Sequence, residues 1–170
     1  MRFSVFEIHR VPVPAQAAAS CGWPTIDFAD CYHGHSLRTD ASAIQMARAM
    51  FEQPPAWARA LMATRNHAVR WLGLKTPLRV QDGEQDAGNV GIFPLLSQTP
   101  AEVVLGLDDR HLDFRIWVRV QNTGGGTEVW SSTLVRFNGW TGRAYLFLVM
   151  PFHKLLARRM LARALQMPAP

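Results

Sequence analysis

The chain has 170 residues, of which 48% are hydrophobic and 18% are charged. This length supports a single domain with a sizeable core, and the composition excludes a disordered chain and a coiled coil. The longest apolar run, residues 144–152, is about half of the ~20 residues that a membrane-spanning helix needs. We therefore expect one domain over residues 1–170, with a core of about residues 3–166 and no transmembrane segment.

The first residues and the cysteines favour a cytoplasmic location. Glu7 interrupts the N-terminus before the apolar segment of a secretory signal can form. Cys21 and Cys31 are too few for a secreted disulfide framework, although a bridge between them stays open.

The net charge of +5 is confined to the C-terminal segment. Residues 1–139 hold 13 basic and 13 acidic residues, whereas residues 140–170 hold five basic residues and no acidic one. A single short basic stretch lacks the usual footprint of a nucleic-acid-binding protein. Nucleic acid is therefore not an expected partner.

The N-terminal part combines one strand with irregular chain. Residues 3–8 carry an imperfect strand pattern, which Pro12 and Pro14 end because proline cannot donate to a strand ladder. The chain is then expected to be irregular to about Asp40, except for a strand over residues 30–37.

Two helices are predicted next from the spacing of apolar residues. Asp40 or Ser42 caps the first, whose apolar stripe runs from Ile44 to Phe51. Pro54-Pro55 breaks the chain, and a second stripe from Trp57 to Leu72 predicts another helix.

A strand-rich region follows a polar connection over residues 75–89. Strands are predicted over residues 90–96 and 102–107. Apolar and polar residues then alternate from His111 to Gln121, and a further strand covers residues 128–137. This order indicates an antiparallel sheet.

The glycines between the last two strands set the register of their hairpin. A two-residue turn at Gly124-Gly125 supplies the positive φ angles that such turns need. One face of the hairpin is then mainly apolar and the other carries charged pairs, and a shift by one residue would mix them. The predicted pairs are Val120 with Val129, Val118 with Ser131, Ile116 with Thr133, Phe114 with Val135, Leu112 with Phe137, Asp113 with Arg136, and Arg119 with Trp130.

A long basic helix is predicted after Asn138-Gly139. Thr141 can cap it, and it extends to about Gln166, with Pro151 as a kink or a second start. Its apolar first half is expected to cover the sheet while its basic residues stay in water. A contact with an acidic partner or a membrane surface is the alternative.

Cys31, His33 and His35 form the most suggestive group of metal ligands. On a strand they share one face, and Cys21 would be a fourth ligand. Their spacing matches no strong zinc pattern, so an edge or loop role without metal is the favoured interpretation.

Two groups of residues could be catalytic: the acidic, basic and imidazole side chains of residues 108–113, and the hydroxyls of Ser131 and Thr133 in the hairpin. Adjacent Asp108 and Asp109 cannot point the same way in an extended strand, so a turn or ion-pair role is favoured over acid–base work. No nucleophile motif surrounds Ser131. Ser131 and Thr133 are nevertheless polar points on an apolar face, and a buried hydroxyl needs a hydrogen-bond partner from a ligand, a water molecule or the protein.

The order of elements resembles the START-like helix-grip fold, also called SRPBCC or polyketide-cyclase-like. There an antiparallel sheet wraps around a long C-terminal helix and the gap holds an apolar ligand. Local sequences are similar to a bacterial family of unassigned function in that fold group, at Gly91–Pro94, Glu102–Gly106, Asp109–Arg115, Val135–Phe137 and Pro151–His153. The resemblance implies an α+β fold with two shorter helices after the first strand, and it supplies no catalytic residues and no cofactor.

Binding of an apolar small molecule, such as a lipid, a sterol or a polyketide-like compound, is the function expected first. A cyclase- or hydratase-type enzyme in the same pocket is a less favoured alternative, because the predicted register turns His111, Asp113 and Arg115 outward. An interaction or peripheral membrane domain acting through the basic helix is the third. No metal is expected, and the predicted ligand-binding residues are Phe114, Ile116, Val118, Ser131, Thr133, Val135, Leu148 and Phe152.

Overall fold

A computed structural model of the chain describes residues 7–54, 56, 59–60, 88–108 and 111–167. Within these ranges the fold is α+β, with a seven-stranded antiparallel sheet and a 26-residue C-terminal helix. The predicted fold class is confirmed. The second predicted helix, from Trp57 to Leu72, and the connection over residues 75–89 fall almost entirely outside the described residues. No helix in the described ranges is long and apolar enough to cross a bilayer.

The sheet is built around its longest hairpin, with strand order β1-β2-β7-β6-β5-β4-β3. The second strand pairs with the last one, so chain segments far apart in sequence meet at the centre of the sheet. The elements are β1 (His9–Arg10), α1 (Ala15–Ser20), β2 (Phe28–Ser36), α2 (Ala43–Phe51), β3 (Asn89–Val90), β4 (Phe93–Gln98), β5 (Glu102–Asp108), β6 (Leu112–Thr123), β7 (Gly126–Phe137) and α3 (Trp140–Leu165).

The register predicted for the β6–β7 hairpin is confirmed at every pair. The turn consists of Gly124 and Gly125, but neither of them has a positive φ angle; the value of 149° belongs to Gly126. The prediction of a left-handed turn was wrong on this point. Gly126 lies against His35 and the backbone of Ser36 on β2, where a side chain has no room.

Three elements of the N-terminal and edge regions differ from the prediction. Helix α1 forms in the stretch expected to be irregular, and the first described strand is β1 rather than residues 3–8, of which residues 3–6 lie outside the description. The strand expected over residues 90–96 is divided by a turn at Gly91. Gly91 has a φ of 61° and packs directly on the backbone of Phe51, a conformation and a closeness that favour glycine.

The predicted N-terminal cap is present on α2 but absent from α3. Ser42 caps α2, and its hydroxyl and the Gln45 side chain form a reciprocal capping box. Helix α3 instead begins after Gly139 without a side-chain cap, and Thr141 contacts His111, with 3.1 Å between Oγ1 and Nδ1. Pro151 lies inside a continuous helix, so a second helix start is excluded.

Both faces of the sheet are covered. Helices α2 and α3 pack on one side, which we call the inner face and which carries Tyr32, Val118 and Val129. The other side, the outer face, carries Trp117 and Leu134 beneath α1 and the segment that follows it. Because successive side chains of a strand alternate between faces, every strand residue can be assigned to one face or the other.

The C-terminal half of α3 is locked onto the inner face. Leu161 and Leu165 are fully buried there. A Cβ at Gly34 would lie 2.5 Å from Cδ1 of Leu165, so the missing side chain lets the helix approach β2. Ser36 then donates a hydrogen bond to the carbonyl of Leu165, with an oxygen–oxygen distance of 3.2 Å. We call this region the closed end.

Candidate ligand-binding site

The inner face is less well covered beside the N-terminal half of α3. Phe28, Phe114 and Thr133 remain partly exposed there although they lie on the adjacent strands β2, β6 and β7. Val135 pairs with both Phe28 and Phe114 and continues the apolar surface between them. We call this region the open end. Its accessible apolar side chains offer a surface to an apolar molecule.

A buried acid–imidazole pair lies in the middle of the open end. Asp30 stands opposite Thr133 in the sheet, and its side chain is only 1% exposed. Its two carboxylate oxygens lie 3.1 and 3.3 Å from Nε2 of His153, which α3 supplies. The edge of the Phe28 ring packs against the His153 ring, with 5.9 Å between centroids. The pair therefore joins the helix to the sheet beside the Phe28 ring.

Tyr32 extends the pair along β2. Its side chain lies on the same face as Asp30, and the residue is only 4% exposed. Burial raises the pKa of the phenol above its ordinary value, and the charge of Asp30 and a hydrogen bond to it raise that pKa further. The phenol consequently keeps its proton at neutral pH and can donate to Asp30.

This arrangement assigns a role to each nitrogen of His153. An ionised carboxylate only accepts hydrogen bonds, so Asp30 favours the form of His153 in which Nε2 carries a proton. Nδ1 then presents a lone pair, and it makes no hydrogen bond to any residue in the described part of the chain. The site thus holds an oriented hydrogen-bond acceptor that can also serve as a base.

The structure places most of the predicted ligand-binding residues on the inner face. Phe114 and Thr133 border the open end, and Ile116, Ser131 and Val135 are buried beside it. The remaining three stand apart: Val118 is fully buried in the core, Phe152 is 46% exposed, and the side chain of Leu148 lies outside the described residues. Val118 therefore packs the fold and does not line the open end.

Sequence reasoning missed both members of the acid–imidazole pair. The alternation of β2 could have turned Asp30 to the same side as Tyr32, but nothing local indicated which side faces α3. His153 belongs to the Pro-Phe-His segment that carried part of the family resemblance, without a role. The enzyme alternative was disfavoured because the register turns His111, Asp113 and Arg115 outward, yet Asp30 and His153 bring an acid and an imidazole to the inner face.

The sulfur and histidine group on β2 is occupied by protein contacts. Cys31, His33 and His35 share the outer face, where the carboxylate of Glu128 lies 2.5 Å from Nε2 of His33 and 2.8 Å from Nδ1 of His35. Cys21 and Cys31 are both buried and free, and burial raises the pKa of each thiol. In the part of the chain that the structure describes, no three His, Cys, Asp or Glu side chains are grouped to hold a metal ion.

The predicted ion-pair role is confirmed for Asp108 and Asp113, whereas Asp109 lies outside the described residues. Arg115 approaches Asp108 at 2.6 Å, and this hydrogen bond holds the pKa of the Asp108 carboxyl below its ordinary value. Arg136 approaches Asp113 at 2.5 Å. Both guanidinium groups lie over the Trp23 ring, 4.8 and 5.1 Å from its centroid, on the outer face. Asp113 and Arg115 therefore point away from the open end, as the register predicted.

An antiparallel sheet that packs its inner face against a long C-terminal helix has the arrangement of a helix-grip fold. More narrowly, the chain belongs to a family described as "Protein of unknown function (DUF2867)", whose model matches residues 23–160. This span includes β2, α2, the central hairpin and most of α3. The expectation of a family without an assigned function is confirmed.

Similarity to solved structures is distant. CalU16 from Micromonospora echinospora, solved by NMR, is 12% identical over 97% of this chain and 75% of its own, with a TM-score of 0.42. A putative uncharacterized protein from Rhizobium leguminosarum is 12% identical over 96% of this chain and 99% of its own, with a TM-score of 0.40. The crystal structure of CalU16 has a TM-score of 0.30 at 14% identity, over 97% of this chain and 86% of its own. No curated protein matches the chain. Such low scores say nothing about function.

Proposed function

We propose that the protein binds an apolar small molecule with at least one polar group at the open end of the inner face. The observation that carries this proposal is the Asp30–His153 pair, whose buried carboxylate and partly buried imidazole lie beside the partly exposed Phe28 and Thr133. Removing a carboxylate from water costs several kcal/mol, and apolar residues of similar volume commonly stabilise a fold at least as well. Because the Asp30–His153 pair lowers stability relative to an apolar pair and lies at the open end, it supports a role in recognising a ligand.

The lining indicates the chemistry of the ligand. Phe28 and Phe114, which are partly exposed, offer aromatic surface to a lipid, a sterol or a polyketide-like compound. The polar group of the ligand would meet Nδ1 of His153 or the hydroxyl of Thr133. A hydroxyl or phenol suits this site best, because it can donate to the imidazole lone pair and accept from Thr133.

A fluorescent apolar probe, N-phenyl-1-naphthylamine, tests the proposal through a blocking variant. Thr133→Phe adds a ring to the open end and is expected to weaken probe binding at least about tenfold, or ~1.4 kcal/mol. Phe147→Ser, on the exposed side of α3, is the matched control and should leave the affinity unchanged. Equal affinities of the wild type and Thr133→Phe, with the folded state verified by circular dichroism, would refute a site at the open end.

A second candidate function is supported by the same pair. In a cyclase- or hydratase-type reaction that removes water, Nδ1 of His153 would accept a proton from a carbon next to the one that bears a hydroxyl, and Asp30 would stabilise the resulting imidazolium. The electron pair of the broken C–H bond would form a C=C bond while the C–O bond breaks. The departing hydroxide would take the proton back from Nδ1, so that one water leaves and His153 is neutral again. This reaction needs no group beyond those present on the inner face.

The variant Asp30→Asn, in which an amide nitrogen replaces one carboxylate oxygen, distinguishes an enzyme from a binding protein. The ligand that copurifies with the protein is first identified by native mass spectrometry and then incubated with fresh enzyme. Catalysis predicts that the wild type changes the mass of this compound by one water, while Asp30→Asn binds it and leaves it intact. An unchanged mass with both proteins would rule out the enzyme and leave the binding module.

A further inference from the structure

The side of α3 that points away from the sheet is apolar over its first turns. Trp140, Ala144, Phe147, Pro151 and Leu155 recur at intervals of four and three residues, so they share one side of the helix. All five are exposed, and Trp140 and Phe147 retain 79% and 85% of their accessible surface. We call these five residues the outward stripe.

The outward stripe corrects the expectation that the apolar half of this helix only covers the sheet. Its sheet-facing positions do so, and His153 is one of them. The opposite positions are those that a solvent-facing helix normally gives to polar residues. The described residues leave the stripe uncovered, and contiguous exposed patches of this kind on a protein usually mark an interaction surface.

The charge of the protein lies beside the outward stripe. Arg143, Lys154, Arg158 and Arg159 are exposed on α3, and residues 140–170 contain no acidic residue. At 100° per residue, Arg143 and Lys154 flank the stripe on one side and Arg159 on the other, while Arg158 continues it by one turn. Residues 1–139 are neutral overall, so the net positive charge of the chain lies on α3 beside the outward stripe.

We propose that the outward stripe docks α3 onto the surface of a membrane that contains anionic lipids, with the helix lying in the plane of the interface. Tryptophan and phenylalanine favour the boundary between headgroups and acyl chains, and the flanking basic residues meet the negative headgroups. A protein partner is disfavoured, because the stripe lies on a convex helix surface and the charges of α3 beside it are all of one sign.

This proposal does not depend on the ligand site, although the two fit together. The outward stripe and His153 lie on opposite sides of the same helix, about one helix diameter apart, roughly 10 Å. Docking would hold the open end close to a bilayer, which is where apolar ligands concentrate.

Flotation of the full chain with vesicles tests the docking directly. The wild type should bind vesicles of phosphatidylcholine with phosphatidylserine, and added salt should weaken this binding. The double variant Trp140→Ser, Phe147→Ser should lose binding about tenfold or more. Leu37→Ser is the matched control, because Leu37 is an apolar residue with 70% exposure that lies outside α3.

Two further measurements test the contribution of the basic residues and the insertion of Trp140 separately. Arg158→Gln with Arg159→Gln should weaken binding to phosphatidylserine vesicles about tenfold and change little on phosphatidylcholine alone. The tryptophan emission of the wild type should shift to the blue on vesicles, and Trp140→Phe should remove most of that shift.

Three results would overturn the proposal. The first is absence of binding by the folded wild type to phosphatidylserine vesicles. The second is equal loss of binding in Leu37→Ser and in the stripe variant. The third is a wild-type dimer that the stripe variant converts to a monomer in light scattering, without any vesicle binding, because the stripe would then be covered by a second copy of the chain.

Discussion

The two ends of the inner face share one sheet and one helix but are filled in opposite ways. At the closed end Gly34 admits Leu165, and Ser36 donates to the helix backbone, so strand and helix are joined by close packing and by a hydrogen bond. At the open end Phe114 and Thr133 keep solvent access, and a carboxylate and an imidazole replace apolar contacts. The tightly packed closed end stabilises the fold, so the open end can remain less well packed without unfolding the protein.

The largest expected effect compares two leucines of α3. Leu161→Ala at the closed end should lower the free energy of unfolding by about 3 kcal/mol, because Leu161 is fully buried and its loss leaves a cavity. Leu156→Ala, nearer the open end and partly exposed, should cost about 1 kcal/mol. Urea denaturation measures both. Equal losses would mean that the two ends are packed alike.

An intermediate effect concerns the Asp30–His153 pair. His153→Ala should destabilise the protein by about 2 kcal/mol, because it leaves the buried carboxylate without its partner. Asp30→Ala in that background should recover part of the loss, which gives a coupling energy of about 1 kcal/mol in a double-mutant cycle. Strict additivity of the two substitutions would show that the pair does not act as a unit.

The smallest effect compares two hydroxyls. Ser36→Ala should cost about 1 kcal/mol, since Ser36 bonds the Leu165 carbonyl inside the closed end. Thr133→Val keeps the side-chain shape and should change stability by less than about 0.5 kcal/mol. Thermal unfolding of both variants sharpens the comparison, and a larger loss for Thr133→Val would reveal a structural partner for its hydroxyl.

The sequence predicted those parts of the fold that depend on residues close together in the chain. Glycines at a turn and strict alternation on either side fixed the β6–β7 register, because a shift by one residue reverses every side chain. The turn at Gly91 escaped prediction, since its cause is the backbone of Phe51, which is distant in sequence. The outward stripe also escaped, because apolar residues surround the first half of α3 on all sides and no pattern showed which side meets the sheet.

The acid–imidazole pair has a consequence for how the protein is made. Asp30 and His153 are 123 residues apart, and β2 lies between β1 and the distant strand β7. Contacts of such separation form late in folding, after the intervening chain has paid its loop-closure entropy. During translation the nascent chain therefore carries an incomplete inner face until α3 has left the ribosome. The Asp30–His153 pair can therefore form only after both β2 and α3 are available to the folding chain.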